Sequence, residues 1–474
     1  MIGNTGANVP AFPESFISDL YAAAHRVVLE PPPEIEEVAF AYTEFGSPSE
    51  IYSRDYIEDL DITMVEFANR VRLNIKKIDF STESISMNVR IGTGQLSEPI
   101  DQPGLSFHAG YPFILGGLGQ HSSDGLRRIL AGRNVGGRFG IGEDAFVLSG
   151  AITPDDLLLQ LQLATAYLVD SGFRPEADRQ IRKSISQYYL RLAHIPQGPL
   201  QTEVPRLLAS GDTRFGLPPE EVLSQRSLSE ARVWLAPELE RGAIEIGLVG
   251  DLDVDNAIAA VAQTFGALPS RGSKPLMHDR RQVSFPEEPF TRNYTVSTEI
   301  PKGVVSLYWP TTEEKDVHVA RRLNVLSKIF QDRLRLKVRE ELGGSYSPNA
   351  GSSTSDTYDS YGSINAYIVV DPPKASSLAR VTHELANDLA QNGTNEDALE
   401  RAVLPILTSL RENARTNGYW LGAVLSRAQE FPQRLEWARS RYTDMEAITV
   451  AEITALAAKY LGDDRAFEFI VLTE

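Results

Sequence analysis

Arg339-Glu-Glu-Leu-Gly-Gly-Ser-Tyr346 joins a long amphipathic helix to a pair of strand-like runs, and the fold is read outward from it. Upstream, Val319, Leu323, Leu326, Phe330, Leu334 and Val338 recur at spacings of three and four. That is the one-face pattern of a buried helix of roughly five turns or more. The helix is expected to end near Leu342, where Gly343 and Gly344 supply the left-handed backbone that closes a helix without a Cβ clash. The chain then turns into a strand over residues 345–351. Arg339 on the last turn complements the helix dipole, and that alone would account for it. A second reading rests on pairing. Arg339 and Tyr346 stand seven positions apart across a glycine corner that can aim both side chains into one cleft. Two donors there would hold a peptide carbonyl.

At 474 residues, with 42% hydrophobic and 8% aromatic content, the chain is expected to be globular, with at least two domains. No run of about eighteen apolar residues is present, so no membrane span is predicted. The first residues lack a basic and an apolar signal region. The location is therefore left open: cytoplasmic if the chain is complete, with the periplasm available if it belongs to a longer precursor. Zero cysteines exclude disulfides, cysteine nucleophiles and thiolate metal sites. A formal charge of −18 argues against nucleic-acid binding, which needs clustered Lys and Arg, and leaves neutral or cationic peptides acceptable.

Residues 14–29 read as a short helix stopped by Pro31-Pro32-Pro33, a stiff spacer. Residues 1–34 are thus a lead-in. Strand-like runs follow at 38–42, 62–68, 71–76 and 84–91, with helical segments at 105–115 and 125–130 and strands at 136–141 and 145–152. Thr153-Pro154-Asp155-Asp156 opens a helix, and helices at 154–170, 175–193 and 219–236 precede a buried strand at 243–249 and a helix at 253–265. Pro269-Ser-Arg-Gly-Ser-Lys-Pro275 is the best linker, so 35–268 and 286–474 are expected as two domains joined by 269–285. Beyond it the order repeats. Strands are expected near 294 and at 304–309, then the long helix, strands to 351 and at 361–370, helices to 461 and a closing strand at 466–472. Residues 149–170 match 366–389: each is a strand end, a Pro-Asp or Asp-Pro turn and a helix. This indicates a duplicated α+β unit, with helices on one face of a largely antiparallel sheet.

The segment 339–346 resembles the Arg and Tyr motif of the C-terminal half of the pitrilysin/insulinase (M16) metallopeptidases, where both residues sit at this spacing around a Leu-Gly turn. The resemblance runs from about Ile35 to the C-terminus and implies two homologous M16-type (LuxS/MPP-like) domains. The family's zinc motif is HxxEH, completed by a more distant Glu. Here the corresponding stretch is Pro103-Gly-Leu-Ser-Phe-His-Ala-Gly-Tyr-Pro112, with His108 present but Tyr111 and Pro112 where Glu and His would stand. Ile181-Arg-Lys-Ser-Ile-Ser-Gln187, where the third ligand would come from, has no glutamate. One ligand cannot make a catalytic zinc centre, which needs three and an open position. No metal or other cofactor site is expected in this chain.

Other near-motifs read as structure. His383-Glu384-Leu-Ala-Asn387 begins like a zincin helix but ends in an amide, a poor zinc ligand, and is expected as a solvated helix face. Gly136-Gly-Arg-Phe-Gly140-Ile-Gly142 lies between strands without Gly-Lys-Ser/Thr, so it reads as a hairpin bend rather than a phosphate loop. Asn417-Gly418 turns the chain and Trp420 anchors the next helix in the core.

The resemblance implies a non-catalytic, substrate-binding half of an M16 zinc endopeptidase. Arg339 and Tyr346 would serve as carbonyl and oxyanion donors. Zinc would come from an HxxEH-bearing half, either a separate subunit or an upstream part of a longer polypeptide, for which the strand-like Ile2-Gly3-Asn4 start is a pointer. The substrate would be an unfolded peptide, held in part by strand addition at a sheet edge. The alternative is a scaffold or assembly protein that kept the fold without peptidase work.

Overall fold

Asn69 and Arg70 show how the local sequence builds the first hairpin. Arg70 takes the left-handed turn conformation at φ 71°. The Asn69 carboxamide accepts from the Val71 amide and donates to the carbonyls of Phe265 and Leu268. The computed structural model describes residues 13–26, 38–299, 301–341 and 348–473. The chain separates into Met1–Phe40 and Ala41–Glu474. In the first unit the helix Pro13–Arg26 exposes Ile17 and Leu20.

The second unit holds two sheets. Strands β1 (Ile51–Ile57), β2 (Ile62–Phe67), β3 (Arg72–Lys77), β4 (Ile85–Ile91), β5 (Arg138–Ile141), β6 (Phe146–Ile152) and β7 (Ile244–Gly250) lie in the order β1-β2-β3-β7-β4-β6-β5. Strands β8 (Thr291–Val296), β9 (Gly303–Pro310), β10 (Asn349–Thr354), β11 (Gly362–Val370) and β12 (Phe467–Thr473) lie in the order β10-β11-β9-β12-β8. Read from its other edge, the second sheet runs β8-β12-β9-β11-β10, which reproduces β3-β7-β4-β6-β5. Each sheet has one parallel pair at the same place, β3 with β7 and β8 with β12; the other pairs are antiparallel. The turns Pro154–Asp156 and Pro372–Lys374 also match, each leading from a strand into a helix, Leu157–Val169 and Ala375–Asn392. The α+β class and the duplication are both present.

Two expectations fail locally. Residues 38–42 form no strand, because Tyr42 is anchored by its own hydroxyl, which donates to Asp170 at 2.5 Å and accepts from the Gln120 amide at 2.8 Å. Strand β1 was not expected. Its side chains are exposed on both faces, so the sequence carries no apolar alternation there.

The core of the second sheet is built on the Val317–Arg335 helix. Leu323, Leu326, Phe330 and Leu334 are fully buried against Trp309, Ile364 and Ile368, each contributing roughly 2 kcal/mol of burial. Strand β7 is buried at every residue. One face is covered from far along the chain by Trp420, Val424, Leu425, Leu435 and Ala438, which pack on Leu60, Ile62, Ile78 and Val249. Gly247 permits this approach, since a Cβ there would come 2.8 Å from Leu421. The Asn74 carboxamide donates to Glu245 and to the Leu425 carbonyl, both at 2.7 Å, and the Gln429 amide donates to Glu245 at 2.8 Å.

Residues 269–285 are fastened rather than loose. Arg271 is buried, and its guanidinium donates to the carbonyls of Leu239, Glu240 and Gly242, the end of the Leu228–Arg241 helix. Arg280 donates to the Leu96 and Glu98 carbonyls.

Burial raises the carboxyl pKa of Glu98, Glu143, Glu245 and Glu314. A raised folded pKa means that the fold binds the proton more tightly than the unfolded chain, so stability increases as pH falls through it. Burial lowers the imidazole pKa of His108 and His121, which acts in the opposite sense as pH falls. The test is therefore a difference: between pH 8 and about pH 5 the melting temperature of the wild type should gain on that of Glu245→Gln as pH falls. Thermal unfolding of both proteins across this range tests it, and a difference that does not change with pH would refute it.

Candidate functional site

The Val317–Arg335 helix starts at Asp316, whose carboxylate accepts from the His318 and Val319 amides at 2.9 and 3.3 Å. It was expected to run on to Leu342 as an α-helix. Instead Leu336–Glu341 is a π turn. The wider turn keeps Val338 fully buried in the core while Arg339, its neighbour, is exposed. Such turns are rare and recur at functional sites. Tyr346 lies outside the described residues, as do Gly343 and Gly344. The chain resumes at Pro348 and enters β10, the edge of the second sheet, paired in antiparallel register with β11 from Asn349–Tyr367 to Thr354–Gly362. A solvent-facing guanidinium and a strand edge thus flank one short connection. Chemically, the guanidinium can donate to a carbonyl, and the edge can pair with an extended peptide backbone.

The zinc-like stretch has a different structure. Pro112 lacks an amide hydrogen and its ring clashes with the preceding turn, so the chain breaks at Gly110 into Leu105–Ala109 and Tyr111–Leu115. His108 is fully buried, with Nε2 3.1 Å from the Leu223 carbonyl, and burial pushes its pKa down. The imidazole is neutral and donates to that carbonyl. Tyr111 is exposed and Pro112 buried. A phenol and a proline ring stand where carboxylate and imidazole are needed, so these residues do not fit a zinc centre. Among the described residues no three His, Cys, Asp or Glu side chains group as a metal site.

His383 turns towards β12, with Nε2 3.0 Å from Glu468, rather than lying on a solvated face. Glu384 pairs with Arg380 one turn away, and Asn387 accepts from Gln391. Glycines 136 and 137 lead into β5, and a Cβ at Gly137 would come 2.7 Å from the Ser149 carbonyl. Trp420 does anchor the chain: its indole donates to the Ala414 carbonyl at 2.9 Å, and the Lys76 ammonium sits 4.5 Å from its ring centre. The core it enters is that of the first sheet.

Sequence reasoning missed a charged cluster beside a cleft of about 500 Å³ lined by Arg72, Lys274, Asp356, Glu430 and Phe431 among others. Asp144 sits at its centre, with Arg90 at 2.5 Å, Arg427 at 2.7 Å and Lys274 at 3.0 Å. Arg427 also reaches Asp356 at 2.6 Å, which Arg434 holds at 2.8 Å, and Lys274 reaches Glu430 at 2.7 Å. Burial alone would raise the Asp144 pKa. Lys274, Arg90 and Arg427 together overcome this and hold its carboxyl well below the usual range. The cluster draws on segments remote in sequence, and no local pattern announces it.

Comparison with known proteins fits this architecture. Residues 241–404 match the peptidase M16 inactive domain. A probable zinc protease, PqqL of Haemophilus influenzae, is 25% identical over 174 residues, which make up 36% of this chain and 18% of that protein. The structure of the periplasmic protease PqqL from Escherichia coli superposes with a TM-score of 0.76 at 17% identity, covering 97% of this chain and 50% of that one. A peptidase M16 inactive domain from Pseudomonas fluorescens superposes with a TM-score of 0.73 at 15% identity, covering 87% and 98%. The chain therefore spans about half the length of the Escherichia coli protein, and the structural likenesses establish the fold.

Proposed function

We propose that this chain, whose residues 241–404 match the peptidase M16 inactive domain and whose fold is that of M16 domains, is the non-catalytic, substrate-binding half of an M16 zinc endopeptidase. One observation carries the reading: Arg339 is exposed on the π turn that precedes the edge strand β10 in the chain, although the helix leading to it is otherwise held tightly in the core. An unfolded peptide pairs along β10. Arg339 donates to a substrate carbonyl, and Tyr346 donates to the oxyanion formed when water attacks the scissile carbonyl. The sequence has no HxxEH, so the metal and the activated water come from a second half that carries it. No helix among the described residues is long and apolar enough to cross a membrane. The proposed setting is the periplasm, as stated for the Escherichia coli relative.

The test is reconstitution. The chain alone should give no turnover of an unfolded peptide, and mixing it with an HxxEH-bearing M16 half from the same genome should restore cleavage. Arg339→Ala should then lower kcat/KM by about tenfold, with KM raised and kcat reduced, because a guanidinium holds the carbonyl in both ground and transition states. A scaffold that merely kept the fold predicts no change on this substitution. Zinc-dependent cleavage by the chain alone would sink the proposal.

A further inference from the structure

The two copies of the duplicated unit differ between their second and third shared strands. Between β9 and β10 the second copy has the Val317–Arg335 helix, and the core beneath is filled by Trp309, Phe330 and Ile364. Between β4 and β5 the first copy has three short pieces instead, Leu105–Ala109, Tyr111–Leu115 and Ser123–Ile129. A cavity of about 630 Å³ lies between the last two of these pieces, the Leu157–Val169 helix and strands β4 and β6. Met87, Ile114, Leu126, Leu148 and Leu163 give it apolar walls, to which Ser123, Ser149 and Gln180 add polar groups.

Gln160 faces this space although it is only 3% exposed. Its carboxamide oxygen accepts from the Gly136 amide at 2.8 Å. Its carboxamide nitrogen has no acceptor among the described residues. Gly137 and Gly150 lie beside that nitrogen: a Cβ there would come 3.9 and 3.5 Å from it, but 2.7 and 2.8 Å from the Ser149 and Gly136 carbonyls, so no side chain fits at either position to cover the amide.

We propose that this cavity binds a small, neutral, apolar molecule carrying one carbonyl or hydroxyl oxygen, which accepts a hydrogen bond from the Gln160 nitrogen. The volume falls within the range of roughly 300–1,000 Å³ usual for small-molecule sites, as does the pairing of apolar walls with few polar groups. A hydrocarbon would leave the amide dry and unpaired. A carboxylate would find only neutral donors free to it among the lining residues, which is too little to replace its water. The exposed Arg127 at the mouth is already paired with Asp124. The site uses no residue of the proposed peptide-holding site and goes beyond that reading.

The test uses the whole chain and the environment-sensitive dye N-phenyl-1-naphthylamine, displaced by acetophenone, by cumene of similar shape without an acceptor, or by benzoate. The dye should bind saturably at one site. Acetophenone should displace it about tenfold better than cumene or benzoate, the difference one net hydrogen bond makes. Gln160→Met should bring acetophenone and cumene within about twofold while the dye still binds. Ala164→Phe, which fills the cavity, should abolish dye binding, and Leu163→Trp serves the same end if the first variant does not fold. Absence of saturable dye binding would overturn the proposal. So would equal displacement by acetophenone and cumene, an acetophenone preference that survives Gln160→Met, or dye binding that survives filling. None of these results bears on peptide cleavage by the reconstituted pair.

Discussion

Replacing Tyr346 by Phe is expected to cost the reconstituted pair on the order of a hundredfold in kcat, with folding and half-to-half association unchanged. The substitution removes one oxygen and its proton, nothing more. A phenol with an ordinary pKa of about 10 keeps that proton at neutral pH and can donate it in a hydrogen bond. The negative charge it would meet develops only as the scissile carbonyl becomes tetrahedral, so the loss falls on kcat rather than on KM. Steady-state kinetics of the mixed halves, with size-exclusion chromatography to confirm pairing, measure it. A variant pair that cleaves at the wild-type rate would remove Tyr346 from the chemistry and leave the 339–346 stretch as a helix end and a turn.

The second large effect is on stability. Asp144→Asn keeps the size of the side chain and deletes the charge at the centre of three cations, Arg90, Lys274 and Arg427. The Asp144 and Arg427 side chains are each 4% exposed, so water cannot replace the lost carboxylate. Breaking a buried ion pair by removing one partner typically costs about 3–5 kcal/mol. We expect a loss of that size in urea unfolding with the slope unchanged. Arg380→Ala, which breaks a pair whose members are 70% and 56% exposed, should cost less than about 1 kcal/mol. An Asp144→Asn protein within about 1 kcal/mol of wild type would show that the cluster merely offsets its own desolvation.

The sequence made the second half easy to read because its signals are local. The four-and-three spacing from Val319 to Val338 places one face inward, and Leu323, Leu326, Phe330, Leu334 and Val338 are all buried. The Pro-marked turns at Pro154 and Pro372 disclosed the duplication, since proline at a helix start is a local signal repeated in both copies. The π turn at Leu336–Glu341 was not legible, because an apolar residue every fourth position suits an α or a slightly wider turn equally well. Strand β1 lacked alternation. The Asp144 cluster lacked any local pattern: Arg90, Asp144, Lys274, Asp356 and Arg427 come from five separate parts of the chain. At the candidate site, Arg339 is exposed as a carbonyl donor must be, and Tyr346 lies outside the described residues.

The stretch from Trp420 to Ala438 completes the first copy of the repeat although it is encoded with the second. A gene fragment ending near Ser284 would leave Leu60, Ile62 and Val249 facing water, and Glu245 without the Gln429 amide. A fragment starting there would carry Trp420, Leu425 and Leu435 with nothing to cover. The tandem pair, rather than the single copy, is therefore the smallest piece that recombination can carry intact into a new protein. The two copies thus form one inheritable module, in which the second holds the material that covers the first.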